Sequence, residues 1–165
     1  MRILVADAFP DTARTQLTER GHECHYDPTT TSDQLPGALA GFDALVVRST
    51  KVTAEAFEYA PTLRLVIRAG AGTNTIDCQA AGLHGVYVCN VPGRNAAAVA
   101  ELAFGLLLAV DRRIPDNVAD LRDGRWNKKG YGAARGILGR HSGVLGLGRI
   151  GLAFAQRAVA FGAHV

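Results

Sequence analysis

Val144-Leu145-Gly146-Leu147-Gly148-Arg149-Ile150-Gly151 is the stretch from which the fold is read. Two apolar residues run into three glycines at G-x-G-x-x-G spacing, and Leu152-Ala153-Phe154-Ala155 continues at helical spacing. The order is therefore strand, tight turn, helix. In such a turn the first glycine permits the sharp reversal and the second lets the backbone approach a pyrophosphate. The third lets the helix pack closely on the strand, so that the helix N-terminus faces the anion. The spacing alone is weak evidence. Set between a strand and a helix, it favours dinucleotide binding over a glycine-rich turn of purely structural use. The acidic residue that would hold the ribose hydroxyls is expected about 20 residues further on, at or just past Val165, so NAD and NADP are not distinguished.

Around this turn the sequence predicts a strand over Ser142 to Leu147, a helix over Arg149 to Phe161, and the opening of another strand at Ala163. Upstream, β-branched runs alternate with helix-like stretches, the pattern of a parallel α/β sheet. Strands are expected at Arg2 to Asp7, His22 to Tyr26, Ala44 to Val47, Leu65 to Ala69 and Val86 to Cys89. Helices are expected at Asp11 to Arg20, Ser32 to Ala40 with Ser32 as N-cap, Thr53 to Tyr59, and Thr75 to Ala81 capped by Asn74 or Thr75. A long helix from about Asn95 to Arg113 ends before Pro115, and Gly124 to Arg140 reads as a surface connection. A domain boundary near Gly93 divides the chain into residues 1–93 and 94–165.

Composition narrows the functional classes. At 165 residues, 48% hydrophobic and 20% charged, the chain is neither disordered nor fibrous. Its net charge of +3 comes from 18 basic and 15 acidic residues without a basic block, which argues against a nucleic-acid partner. Cys24, Cys78 and Cys89 are odd in number and far apart, and no signal peptide opens the chain, so reduced thiols in a cytoplasmic protein are expected. The apolar run Ala96 to Val110 is too short for a membrane span and carries Glu101. His22, Cys24 and His25 are three candidate metal ligands, but strand alternation sends His25 to the opposite face, so no metal site is expected.

Two further segments carry candidate chemistry. In Arg68-Ala69-Gly70-Ala71-Gly72-Thr73-Asn74-Thr75-Ile76-Asp77 a strand enters a glycine-containing loop, whose backbone N–H groups can hold a carboxylate. A plain tight βα connection fits the same residues equally well. Val46-Val47-Arg48-Ser49-Thr50 places an arginine where a strand leaves the sheet, the end at which open parallel sheets bind ligands. A lone surface arginine is, by itself, more often solvated.

Taken in order, VVRSTKVT (46–53), RAGAGTNTID (68–77), VCNVPGRNAAAVAELAFGLLLAVDRRIP (88–115), DGRW (123–126) and SGVLGLGRIG (142–151) resemble the D-isomer-specific 2-hydroxyacid dehydrogenase family along essentially the whole chain. The phosphoglycerate dehydrogenase branch is nearest, with glyoxylate or hydroxypyruvate reductases close behind. The resemblance implies an α/β protein with a flavodoxin-like parallel-sheet substrate lobe followed by the start of a Rossmann dinucleotide-binding lobe. It implies an NAD-dependent oxidoreductase acting on the CH–OH group of a D-2-hydroxyacid, with 3-phosphoglycerate and serine biosynthesis as the leading assignment. A glyoxylate or hydroxypyruvate reductase, or a non-catalytic dinucleotide-sensing protein of the same fold, is the alternative. The partner is then a small anionic 2-hydroxy or 2-oxo acid, and the full-length relative a homodimer or homotetramer.

The resemblance assigns Arg48, Ser49, Ala69, Gly70, Ala71 and Gly72 to the substrate. It assigns Ala71, Asn95, Gly146, Gly148, Arg149, Ile150 and Gly151 to the cofactor, NAD with NADP left open, and puts Glu101 near the nicotinamide. Thr75 stands where the family usually has asparagine, and Arg94 where glycine is common. The family's catalytic arginine, glutamate and histidine are expected beyond residue 165, so no catalytic residue is named and the chain alone is expected to be inactive.

Overall fold

The structure, a computed structural model, describes residues 1 to 165, which divide into two compact units, Met1–Pro92 and Gly93–Val165.

The first unit runs β1 (Arg2–Val5), α1 (Asp11–Glu19), β2 (Glu23–Tyr26), α2 (Leu35–Ala38), β3 (Ala44–Val47), α3 (Ala54–Glu58), β4 (Leu65–Arg68), α4 (Cys78–Leu83) and β5 (Tyr87–Asn90). All strand pairings are parallel and the order is β2-β1-β3-β4-β5, the flavodoxin-like arrangement. A central strand covered on both faces has no polar side to offer. Accordingly β3 reads Ala-Leu-Val-Val and is buried at every position. Alternation divides the core: Leu4, Leu45, Val47 and Val66 pack with Leu35, Leu39, Phe57 and Ala81, while Ile3, Val5, Ala44 and Val46 pack on the other face. The edge strands read Glu-Cys-His-Tyr and Tyr-Val-Cys-Asn and are largely exposed.

Two predicted helices start later than expected. The helix expected from Ser32 begins at Leu35, with Pro36 in its first turn. Proline is tolerated only there, because deeper in a helix it would lack the N–H for the preceding turn. Ser32 is no cap; its hydroxyl donates to the Lys51 carbonyl at 2.8 Å. The helix expected from Thr75 begins at Cys78, and its N-cap is Asp77, which accepts the Ala80 N–H at 2.9 Å. Thr75 and Asp77 are taken instead by Val52, through Val52 N–H to Thr75 C=O at 2.8 Å and Asp77 N–H to Val52 C=O at 2.9 Å. Backbone groups spent on that bridge are not free to start a helix.

The second unit contains α5 (Ala96–Arg112), α6 (Ile114–Arg122), α7 (Lys128–Tyr131) and α8 (Arg149–Ala160). Arg113 adopts a left-handed conformation (φ 51°, ψ 43°) that ends α5, and Pro115 then enters the first turn of α6, a helix the sequence reading left unassigned. Phe104 of α5 joins Ile137, Ala158 and Ala163 in a small core, with ring centroids 5.7 Å from Phe154 and 4.6 Å from Phe161. Arg157 of α8 pairs with Glu101 of α5 at 2.6 Å.

The strand expected over Ser142 to Leu147 is not formed. A single parallel bridge joins His141 to His164, with Ser142 N–H to His164 C=O and His164 N–H to Arg140 C=O both at 2.7 Å. A strand requires a ladder of such pairs, and here Leu145 and Leu147 are 106% and 68% exposed with no neighbouring strand. The second unit thus presents a turn and helix in place of the predicted βα unit. No helix is long and apolar enough to cross a membrane.

Candidate functional site

In an open parallel sheet the ligand crevice lies at the carboxyl ends of the strands where the strand order reverses, here between β1 and β3. Asp7 follows β1, Arg48 to Thr50 follow β3, and Ala69 to Gly72 follow β4. The Asp7 Oδ2 atom accepts three successive backbone N–H groups, from Arg48 at 2.7 Å, Ser49 at 3.0 Å and Thr50 at 3.0 Å. Partial burial pushes the Asp7 carboxyl pKa up, but the bonds from Arg48, Thr50 and Ser49 outweigh it and hold the group below the usual carboxylate range. Arg48 and Ser49 expose their side chains, while their N–H groups are committed to Asp7.

The loop after β4 is tied down through the Ala69 and Gly70 N–H groups and through the Gly70 and Ala71 carbonyls. Ala69 donates to Val47 C=O at 2.7 Å, Val91 to Gly70 C=O at 2.9 Å, and Asn90 Nδ2 to Ala71 C=O at 2.6 Å. No group of the chain accepts the Ala71 or Gly72 N–H, so this loop presents donors that the preceding one has spent. The Arg68 guanidinium folds over Gly70, where a Cβ would displace this flexible side-chain end and no backbone atom. The Arg68 Nε and Thr75 Oγ1 atoms are buried without partners beside this loop.

In the second unit the three glycines divide their roles. Gly146 has φ 96°, which a side chain disfavours. A Cβ on Gly151 would overlap the Gly146 carbonyl oxygen, so only glycine lets α8 sit this close to the turn. Gly148 has an ordinary φ of −75° and a Cβ there would meet nothing within 4 Å. The chain's own packing therefore demands Gly146 and Gly151 but not Gly148. The first backbone N–H groups of the 12-residue α8 have no intrahelical acceptor and carry the positive end of the helix dipole. The turn, with open space at its middle glycine, fits a pyrophosphate.

Arg149 lies across Gly93, where a Cβ would stand 2.8 Å from Arg149 Cδ, and Ile150 is partly exposed in the first turn of α8. Asn95 precedes α5 and makes no side-chain capping bond. Glu101 is engaged by Arg157. A cleft of about 640 Å³ lined by Leu121, Arg125, Trp126, Lys128 and Tyr131 includes none of the predicted residues. The sequence reading missed Asp7 and Asn90; each is a polar residue at the carboxyl end of a strand, and that position was the available signal.

The D-isomer specific 2-hydroxyacid dehydrogenase catalytic-domain family model matches residues 3–161. D-3-phosphoglycerate dehydrogenase of Methanocaldococcus jannaschii is 40% identical over 100% of this chain, which spans 31% of that protein. Hydroxypyruvate reductase of Thermotoga maritima is 43% identical over 81% of this chain and 44% of its own length. Among solved structures, NAD-dependent formate dehydrogenase from Staphylococcus aureus in complex with NAD superposes with a TM-score of 0.87 at 29% identity, over 99% of this chain and 54% of that one. The chain thus spans less than half the length of these curated relatives. Matched by the family model over almost its whole length and 40% identical to a relative along all of it, this chain belongs to the D-isomer specific 2-hydroxyacid dehydrogenases.

Proposed function

We propose that this chain supplies substrate- and dinucleotide-binding residues of an NAD-dependent oxidoreductase acting on the CH–OH group of a D-2-hydroxyacid, with D-3-phosphoglycerate as substrate and a place in serine biosynthesis in the cytoplasm. The observation that carries the reading is the division of labour at the glycine turn: Gly148 serves no packing need of the protein, which is understood if a ligand occupies the space beside it.

In this reading Gly146, Gly148, Arg149, Ile150 and Gly151 bind the pyrophosphate, and Asn95 and Ala71 also touch the cofactor. A nicotinamide held by these residues would supply the hydride acceptor for C2 of the hydroxyacid, and the hydroxyl proton would need a base. The residues present do the binding. Ala71 and Gly72 offer N–H donors to the substrate carboxylate, with Ala69 and Gly70 shaping the loop. Arg48 and Ser49 meet a second anionic group, the phosphate. The match to a hydroxypyruvate reductase favours a second reading, in which that substrate lacks the phosphate.

Calorimetric titration with NADH, D-3-phosphoglycerate, D-glycerate and hydroxypyruvate separates these. The expected result is NADH binding, tighter binding of D-3-phosphoglycerate than of D-glycerate, and loss of that preference in Arg48→Ala. Equal binding of the phosphorylated and unphosphorylated acids would support the second reading. Failure to bind NADH or any of the acids would overturn both.

A further inference from the structure

Asp7 is a charged residue at the strand ends to which the assignments above give no role. It follows β1 on a rigid part of the sheet: Ala6 is fully buried, and its N–H donates to Val46 C=O at 3.0 Å. From there one carboxylate oxygen collects the N–H groups of Arg48, Ser49 and Thr50, which lie 41 to 43 residues further along the chain. Three consecutive N–H groups turned toward one point form a concavity that in other settings takes an anionic ligand. Here the ligand is the protein's own side chain, and the concavity is closed to substrate.

We propose that Asp7 is a positioning residue for substrate binding: by holding the backbone of residues 48 to 50 to the end of β1, it fixes the direction in which Arg48 and Ser49 leave the sheet. The proposal rests on the assignment of Arg48 to the substrate. No ion pair joins Asp7 to the Arg48 guanidinium, and the groups that act on the carboxylate are the loop N–H groups and Thr50. Asp7 therefore engages the backbone of Arg48 and leaves its side chain to the ligand. The two loops then divide the substrate: the loop after β3 reads one anionic group with side chains because its amides are spent, and the loop after β4 reads the carboxylate with amides. A glutamate at position 7 would carry the same charge one methylene further out and would displace the loop.

The test compares Asp7→Ala, Asp7→Asn, Arg48→Ala and the Asp7→Ala/Arg48→Ala double variant in the protein, by titration with D-3-phosphoglycerate and NADH and by amide hydrogen exchange. Asp7→Ala is expected to weaken D-3-phosphoglycerate about tenfold, leave NADH unchanged, and speed exchange at Arg48 to Thr50 but not at Leu45 to Val47. Asp7→Asn retains an acceptor oxygen and should stay within about threefold of wild type. The double variant should bind no worse than Arg48→Ala, because a misdirected arginine and a missing one are equivalent. If Asp7→Ala keeps wild-type affinity while Arg48→Ala loses it, the proposal falls and the substrate assignment stands. If Arg48→Ala keeps wild-type affinity, both fall. If Asp7→Ala does not fold, Asp7→Asn decides: a loss as large as that of Arg48→Ala would show that the charge matters and not the backbone bonds, and would overturn the proposal.

Discussion

The sharpest check on the dinucleotide assignment is to place one methyl group at each of two glycines in the same turn. At Gly148 an alanine Cβ meets no atom within 4 Å, and the backbone sits at φ −75°, ψ −167°, which alanine adopts freely. Restricting the unfolded chain at a compatible position stabilises by about 0.4–1 kcal/mol, a rise of a few degrees in Tm. The same methyl would stand where a pyrophosphate must approach. Losing one charge-assisted N–H contact costs about 1.5–3 kcal/mol, or about 10- to 150-fold in NADH affinity. Gly151→Ala behaves differently, because its Cβ overlaps the Gly146 carbonyl oxygen and lies 3.1 Å from the Gly146 carbonyl carbon, backbone atoms that no rotamer change can move. Overpacking of that kind costs about 1–3 kcal/mol, so stability and NADH affinity should fall together. Thermal unfolding and NADH titration of both variants make the comparison. A Gly148→Ala protein that binds NADH like the wild type would refute the argument that the open space at Gly148 belongs to a ligand.

Three further outcomes follow from particular contacts. Asp77→Ala should lower stability by about 1 kcal/mol by removing the α4 cap, and Asp77→Asn should restore most of it, as read by denaturant unfolding. Phe104→Ala should cost about 3–5 kcal/mol, with loss of amide protection in α5 and α8, because the ring joins Phe154 and Phe161; an undiminished unfolding midpoint would contradict that packing. The pKa values of three aspartates are lowered: Asp7 by loop N–H bonds that outweigh its burial, Asp27 by Thr29, and Asp120 by the Tyr131 hydroxyl and then Arg125. A lowered carboxyl pKa contributes stability above its unfolded value that is lost as pH falls through the folded one. Melting temperature should therefore drop as pH falls through and below the ordinary carboxyl range, and the deficit of Asp7→Asn relative to wild type should shrink over that interval.

How much was legible in the chain varies by residue. The buried runs of β1, β3 and β4 announce a parallel sheet because strands covered on both faces carry little but apolar residues, and all five strands formed within two residues of their predicted bounds. The glycine spacing at 146, 148 and 151 was equally readable, since Gly146 and Gly151 answer backbone requirements local to the turn and Gly148 completes the motif's spacing. Helix starts were less so. Ser32 and Thr75 have the chemistry of caps, but Lys51 and Val52, distant in sequence, claimed their hydroxyl and backbone groups. Pairing partners are a tertiary matter, and for the same reason the apolar run at Ser142 to Leu147 did not become a strand with only one bridge beside it.

By itself the sequence determined the class of fold, the family and the candidate binding segments, because hydrophobic period, glycine spacing and motif order are properties of neighbours along the chain. Only the tertiary structure decided which amides of those segments are available. The N–H groups of Arg48, Ser49 and Thr50 look as free on paper as those of Ala71 and Gly72, yet the first set is taken by Asp7 and the second is not. That difference arises because the sheet brings the ends of β1 and β3 side by side across more than forty residues of chain, a proximity set by strand order and invisible to any local pattern.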